Sequence, residues 1–250
     1  MSLVNNNKTA IVFVHGLLGF SSISILGKII HYFRALPPYL SNHTQSIYFP
    51  PLPGTGTVEE RARVLADFLE RINVDQINLI AHSMGGLDSR YAIHHFDSQQ
   101  RIRSLTTIAT PHRGTPLAQR IINSKKPLYS LLRRITHPAL YDLTPEACAR
   151  FNLEISDLPH VQYRSYAATR PANEMPPIFR PWTRALATDS GENDSQVSVS
   201  SARWGEFKGI LRADHMELAG WSMGWPSISN ERPFDHLRFY TNLVRELNTS

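Results

Sequence analysis

Between an apolar run, Ile77-Asn78-Leu79-Ile80, and a stretch of helical periodicity through Leu87, Arg90, Tyr91 and Ile93 lies the hexapeptide Ala81-His82-Ser83-Met84-Gly85-Gly86. Few folds accommodate such a segment. A serine at the apex of a tight strand–turn–helix connection has close backbone neighbours two positions before and after it, so only small residues fit there. Ala81 and Gly85 meet that demand, and the pattern is a relaxed form of G-x-S-x-G. The turn raises the Ser83 hydroxyl above the end of a strand, and the helix that follows offers amide N–H groups to an anion.

The rest of the chain supplies the scaffold this turn needs. Short β-branched runs at Ala10–His15, Gln45–Phe49, Gln76–Ile80, Ser104–Ala109, Val161–Ala167 and Phe207–Leu211 alternate with helix-periodic stretches. That alternation predicts an α/β fold with a mostly parallel sheet flanked by helices. Val58, Ala62, Leu65, Leu69 and Ile72 recur at helical spacing, with Thr57 and Glu60 placed as a capping box. Leu237, Tyr240, Leu243, Val244 and Leu247 predict a closing helix. The 250 residues read as one domain, 1–250, interrupted by a helical lid insertion at about 115–160. In that insertion, helices are expected at Leu117–Ile122, at Leu128–Ile135 and from Pro145 onward, capped by Thr144. The Pro-rich stretch Arg170–Pro181 reads as an ordered loop.

A serine hydroxyl needs a base, and the base needs a carboxylate to orient it. In a strand–turn–helix hydrolase the chain order is nucleophile, acid, base. Of 11 histidines, those before Ser83 have the wrong order, and His94, His95, His112, His137 and His160 fall on the elbow helix, too early, or in the insertion. Asp214-His215 and Asp235-His236 remain. His215 follows the last strand on a loop and is preferred; His236 belongs to the closing helix. The acid lies among Asp189, Glu192, Asp194 and Glu206, with Asp194 first and Asp189 second.

Acyl transfer also develops an oxyanion that requires two N–H donors. Met84, after the nucleophile, supplies one. Leu17, aimed inward by Gly16 in His15-Gly16-Leu17-Leu18-Gly19-Phe20, supplies the other, with His15 bracing the loop. Neither this loop nor Gly54-Thr55-Gly56 completes a dinucleotide or Walker fingerprint.

Taken together these blocks resemble the bacterial triacylglycerol lipases of the Pseudomonas/Burkholderia type and related intracellular esterases. The resemblance adds Ser89-Arg90-Tyr91, Thr110-Pro111-His112-Arg113-Gly114 and Asn193-Asp194 followed by Val197 to Ala202, and spans about residues 9–217. It implies an α/β-hydrolase fold, Ser83 as nucleophile, Asp194 as acid, His215 as base, Leu17 and Met84 as oxyanion donors, and Leu18 beside the acyl chain. No cofactor is implied for the reaction. Secreted members carry a signal peptide, a disulfide, a dedicated foldase and a structural calcium. Here there is one cysteine, Cys148, so no internal disulfide forms, and neither a signal peptide nor a foldase is expected. For calcium only Glu217 and, more weakly, Glu174 stand near the required positions, and the family's Asn-Asp-Gly reads Asn193-Asp194-Ser195.

The expected activity is hydrolysis of lipophilic acyl esters, triacylglycerol or other medium- and long-chain esters, through an acyl-serine intermediate. A thioesterase, lysophospholipase or acyltransferase would use the same residues, and a non-catalytic binding protein on this fold is the remote alternative. The net charge of +5 comes from scattered arginines with no basic run, which excludes a nucleic-acid partner. Lys125, Lys126, Arg133 and Arg134 beside Leu128, Leu131, Leu132 and Ile135 instead suit transient contact of the lid with a lipid interface. Trp221 and Trp225 are placed to line the site or pack beside it. The expected compartment is the cytoplasm.

Overall fold

The computed structural model describes residues 8–25, 28–41, 46–222 and 233–249. In chain order the elements are β1 Thr9–Val14, β2 Ser22–Ile25, β3 Lys28–His31, α1 Leu36–Leu40, β4 Ser46–Tyr48, α2 Val58–Arg71, β5 Gln76–His82, α3 Gly85–Phe96, β6 Ile102–Ile108, α4 Pro116–Asn123, α5 Pro127–Ile135, α6 Ala139–Asp142, α7 Pro145–Glu154, β7 Gln162–Thr169, α8 Arg180–Ser190, α9 Val199–Ala202, β8 Glu206–Arg212, a 3-10 turn Glu217–Ala219, and α10 His236–Thr249. Six strands form one parallel sheet in the order β4-β1-β5-β6-β7-β8. β2 and β3 pair separately as an antiparallel ribbon.

β1 shows why an unbroken apolar run makes a central strand. Successive side chains point to opposite faces, and both faces are covered. Ala10, Val12 and Val14 pack with Ala62, Leu65 and Leu69 of α2 and Ala92 and Ile93 of α3. Ile11 and Phe13 pack on the other face with Leu36 and Leu40 of α1 and Tyr240, Leu243 and Val244 of α10. The Thr57–Glu60 capping box is formed in both directions at the start of α2, so two otherwise unpartnered amides are satisfied where the helix begins.

From β1 the chain runs to β4 on one side and returns to β5 on the other. The carboxyl ends of β1 and β5 therefore flank a topological switch point, the place where a parallel sheet opens a crevice for a ligand. Four helices, α4 to α7, fill the connection between β6 and β7. Two or three were expected; α6 is a single extra turn. Cys148 of α7 is buried, with its thiol toward the carbonyls of Pro111 and Asp142. The expected loop Arg170–Pro181 is a loop to Phe179 and then turns into α8, whose first turn holds Pro181.

Candidate active site

Ser83 sits between β5 and α3 with φ 55°, a left-handed backbone conformation that a non-glycine residue keeps only where a braced turn holds it. Its amide donates to the Ile108 carbonyl at 3.0 Å and its carbonyl accepts from Thr110 Oγ1 at 2.7 Å. The small-residue requirement is literal. A Cβ on Gly85 would lie 2.7 Å from the Val14 carbonyl oxygen, and one on Gly16 would lie 2.7 Å from Ser83 Cβ.

His215 follows β8, and Asp194 lies in the turn before α9. His215 Nε2 is 2.9 Å from Ser83 Oγ, and His215 Nδ1 is 2.7 Å from Asp194 Oδ2. Asp194 is fully buried, and its other oxygen accepts from the amides of Gln196 at 2.9 Å and Val197 at 2.7 Å. The His215 amide in turn donates to the Asp194 carbonyl at 2.9 Å. Asp189 is elsewhere, on the surface, held by Nε and Nη2 of Arg120. His236 Nε2 meets the Arg34 carbonyl at 2.8 Å at the start of α10, away from Ser83. Ser195 adopts φ 86°, a backbone conformation that favours glycine, and its buried hydroxyl has no partner among the described residues.

The loop after β1 approaches Ser83 from the other side. Leu18 N donates to the Gly54 carbonyl at 2.7 Å and Gly19 N to the Gly16 carbonyl at 3.1 Å. Among the described residues, the amides of Leu17 and Met84 donate to no protein acceptor. His15 Nδ1 contacts the Gly16 carbonyl at 3.0 Å, and burial together with the Arg61 charge pushes the imidazole down to about 4. His15 is therefore neutral at physiological pH.

Residues the sequence did not point to complete the frame. Arg61 of α2 is fully buried: it donates to the His15 carbonyl at 2.7 Å, to the Pro53 carbonyl, and to Asp88 at 2.8 Å. Burial raises Asp88 to about 6 despite the adjoining guanidinium. Tyr32 places its hydroxyl 2.8 Å from His82 Nδ1, and burial raises this phenol to about 12. His82, held well below the usual histidine range by burial and by the charge of His215, lies beneath the His215 ring at a centroid distance of 4.7 Å. Tyr32 shows no motif, and Arg61 is indistinguishable in sequence from the other arginines of its helix.

Ser83 and His215 open into a cavity of about 370 Å³, large enough for a small ligand. Its walls are apolar and include Leu17, Leu18, Ile121, Leu140, Trp182 and Trp221. Trp225 falls outside the described residues.

The two acidic residues considered for calcium do not fit a divalent ion. Glu217 is ion-paired with Arg170 at 2.9 Å and Glu174 with Arg212 at 2.7 Å. A guanidinium already occupies the position a cation would take. Among the described residues, no three acidic, histidine or cysteine side chains cluster in a metal-binding arrangement.

Comparison with known proteins agrees with this architecture. Residues 9–131 match a family model described as the alpha/beta hydrolase fold. Triacylglycerol lipase 2 of Saccharomyces cerevisiae is 30% identical over 86% of this chain and 81% of its own length. The triacylglycerol lipase of Burkholderia plantarii is 31% identical over 43% of this chain and 31% of its own length. Among solved structures, a metagenomic carboxyl esterase superposes with a TM-score of 0.79 at 23% identity, covering 98% of this chain and 77% of that one. A Staphylococcus hyicus lipase does so with 0.72 at 18% identity, covering 99% and 98%. α/β hydrolases generally work without a cofactor. With a buried serine–histidine–carboxylate line at the switch point of a parallel sheet and a relative matched over most of both chains, this chain belongs to the lipase/esterase family of α/β hydrolases and is a serine ester hydrolase.

Proposed function

We propose that the protein hydrolyses lipophilic carboxylic esters, triacylglycerols and other medium- and long-chain acyl esters, with Ser83, His215 and Asp194 as nucleophile, base and acid. The observation that carries this reading is the hydrogen-bonded line Ser83–His215–Asp194 at 2.9 and 2.7 Å on the floor of an apolar cavity. Ser83 Oγ attacks the ester carbonyl carbon while its proton passes to His215 Nε2. Asp194 fixes the tautomer by accepting from Nδ1 and stabilises the imidazolium that forms. The oxyanion is received by the unengaged amides of Leu17 and Met84. Collapse expels the alcohol, which takes the proton from His215, and water then repeats the sequence on the acyl-Ser83 ester.

Leu18, at φ 56° in the loop after β1, lines the cavity with about half of its surface exposed, a position that suits contact with the acyl chain. Residues 115–160 act as the lid. α5 buries none of its residues, and Leu128 and Leu131 are 59% and 54% exposed beside Lys125, Lys126, Arg133 and Arg134. An apolar and basic surface of that kind suits transient contact with an anionic lipid interface. Among the described residues, no helix is long and apolar enough to cross a membrane. The single unpaired cysteine supports a reducing compartment such as the cytoplasm.

The test is fluorophosphonate labelling together with a panel of p-nitrophenyl esters from two to sixteen carbons, triglyceride and acyl-CoA alongside. Labelling should disappear in Ser83→Ala, and turnover should favour esters of eight or more carbons. Labelling that persists in Ser83→Ala refutes the nucleophile. Preference for acyl-CoA over every oxygen ester refutes the substrate class.

A further inference from the structure

The loop that carries His215 is built on a reciprocal pair. Asp214, buried at the end of the turn after β8, accepts from the amides of Met216 at 2.8 Å and Glu217 at 3.0 Å. Glu217 reaches back to accept from the Asp214 amide at 3.1 Å. This is the reciprocal bonding of a capping box, Asp-x-x-Glu with His215 between its two ends, leading into the 3-10 turn Glu217–Ala219. Such a short turn has little stability of its own, so its geometry depends on what holds the two carboxylates.

Two nearly buried acids within one turn repel each other, and burial together with Glu217 raises Asp214 to about 6. Arg170, the first residue after β7, resolves the conflict. Its Nη1 donates to Glu217 Oε1 at 3.1 Å and its Nη2 lies 2.9 Å from Oε2, a two-pronged contact with both partners about nine-tenths buried. The same guanidinium donates to the Arg212 carbonyl at 3.3 Å, the last residue of β8. Its backbone amide donates to the Asn193 carbonyl at 3.3 Å, one residue before Asp194. One residue thus joins the loop of the acid to the loop of the base, and it lies outside the substrate cavity.

We propose that Arg170 is a positioning residue for ester hydrolysis: through Glu217 it fixes the capping box that holds His215 between Ser83 and Asp194, and it does so as a built-in cation that makes a bound metal unnecessary. The inference rests on the reading of His215 as the base. Arg170→Ala leaves the cavity intact but frees Glu217, so His215 loses its fixed distance from Ser83. A misplacement on the order of 1 Å costs up to about 10²-fold in rate.

The test uses the full chain and p-nitrophenyl butyrate, well below the unfolding temperature. Arg170→Ala should lower kcat at least about tenfold with KM changed less than about twofold, and the rate of fluorophosphonate labelling should fall in parallel. Arg170→Lys should recover part of the loss, because a point charge replaces the fork. The wild type should show the same Tm and kcat in excess EDTA and in millimolar Ca²⁺. If Arg170→Ala does not fold, Glu217→Gln, which keeps the volume and removes the ion pair, carries the same expectations. Unchanged kcat in a folded variant, or a loss confined to KM or Tm, overturns the proposal. A wild-type Tm that rises with Ca²⁺ overturns the built-in cation. His215→Ala is the separate control: if it stays active, the assignment of the base has failed, whatever Arg170 does.

Discussion

Replacing Gly16 with alanine tests the site at its narrowest point. The new Cβ would stand 2.7 Å from Ser83 Cβ, 3.1 Å from the Tyr32 hydroxyl and 3.2 Å from the His82 carbonyl oxygen. Ordinary contact begins at 3.4 Å, so the gap between the loop after β1 and the nucleophile must widen by about 0.7 Å. Neither side yields easily: Tyr32 is bonded to His82, and the His15 carbonyl is held by Arg61. Overpacking of this kind costs about 1–3 kcal/mol, or a Tm loss of about 2–12 °C in a domain of this size. The catalytic effect is larger. The Leu17 amide moves with the Gly16 carbonyl, and loss of one oxyanion donor lowers kcat by about 10²–10³. Steady-state hydrolysis of p-nitrophenyl butyrate, with thermal unfolding in parallel, separates the two effects. A variant with kcat within about threefold of wild type would refute the assignment of Leu17 and the rigidity inferred for its loop.

Asp194→Asn should leave the fold intact and lower kcat by about 10⁴-fold through the wrong histidine tautomer, whereas Asp189→Asn, which breaks only a surface pair with Arg120, should leave turnover unchanged in the same assay. Asp214→Asn should show a pH-dependent stability difference. With Asp214 raised in the folded state to about 6, its contribution is fully present below the unfolded value and is lost as pH rises through 6. Urea unfolding free energies of wild type and variant should therefore diverge in favour of asparagine between about pH 4 and 6, by at most about 3 kcal/mol, and stay level above that; parallel curves would refute the burial argument. Ser195→Gly removes both a strained φ of 86° and an unpartnered buried hydroxyl, and calorimetry should show Tm higher by about 2–4 °C.

What could be read from the chain and what could not divide along the range of the interactions involved. The sheet strands are local: β1 is apolar on consecutive positions, and β5 nearly so with Asn78 as the exception, because both faces are covered, so their pattern announces them. The Ser83 turn is equally local, since steric demands fall within two residues of it. Chain order narrowed the base to His215 or His236 and the acid to Asp189, Glu192, Asp194 or Glu206, and the loop and turn positions of His215 and Asp194 set them first. By contrast, the β2–β3 ribbon and α8 were not anticipated. In α8, Pro181 sits in the first turn, where a missing N–H costs nothing, although a proline-rich stretch reads as loop. Arg61 with Asp88, Tyr32 with His82, and Arg170 with Glu217 pair across 27, 50 and 47 residues, and no spacing rule connects them. Asp88 and Arg90, both on α3, make internal contacts. Their partners are Arg61 for one and Asn152 and the Trp204 ring for the other.

The buried thiol of Cys148 has a practical consequence. Burial and the nearby Asp142 charge push it up to about 12, so at neutral pH it stays protonated and sheltered from alkylating reagents. Because the chain has no other cysteine, the protein is in effect thiol-silent, and one introduced at Leu128 on the outer face of α5 would take a fluorophore alone. Such a label would report directly whether that helix swings away from the cavity when the enzyme meets a droplet, with no background to subtract.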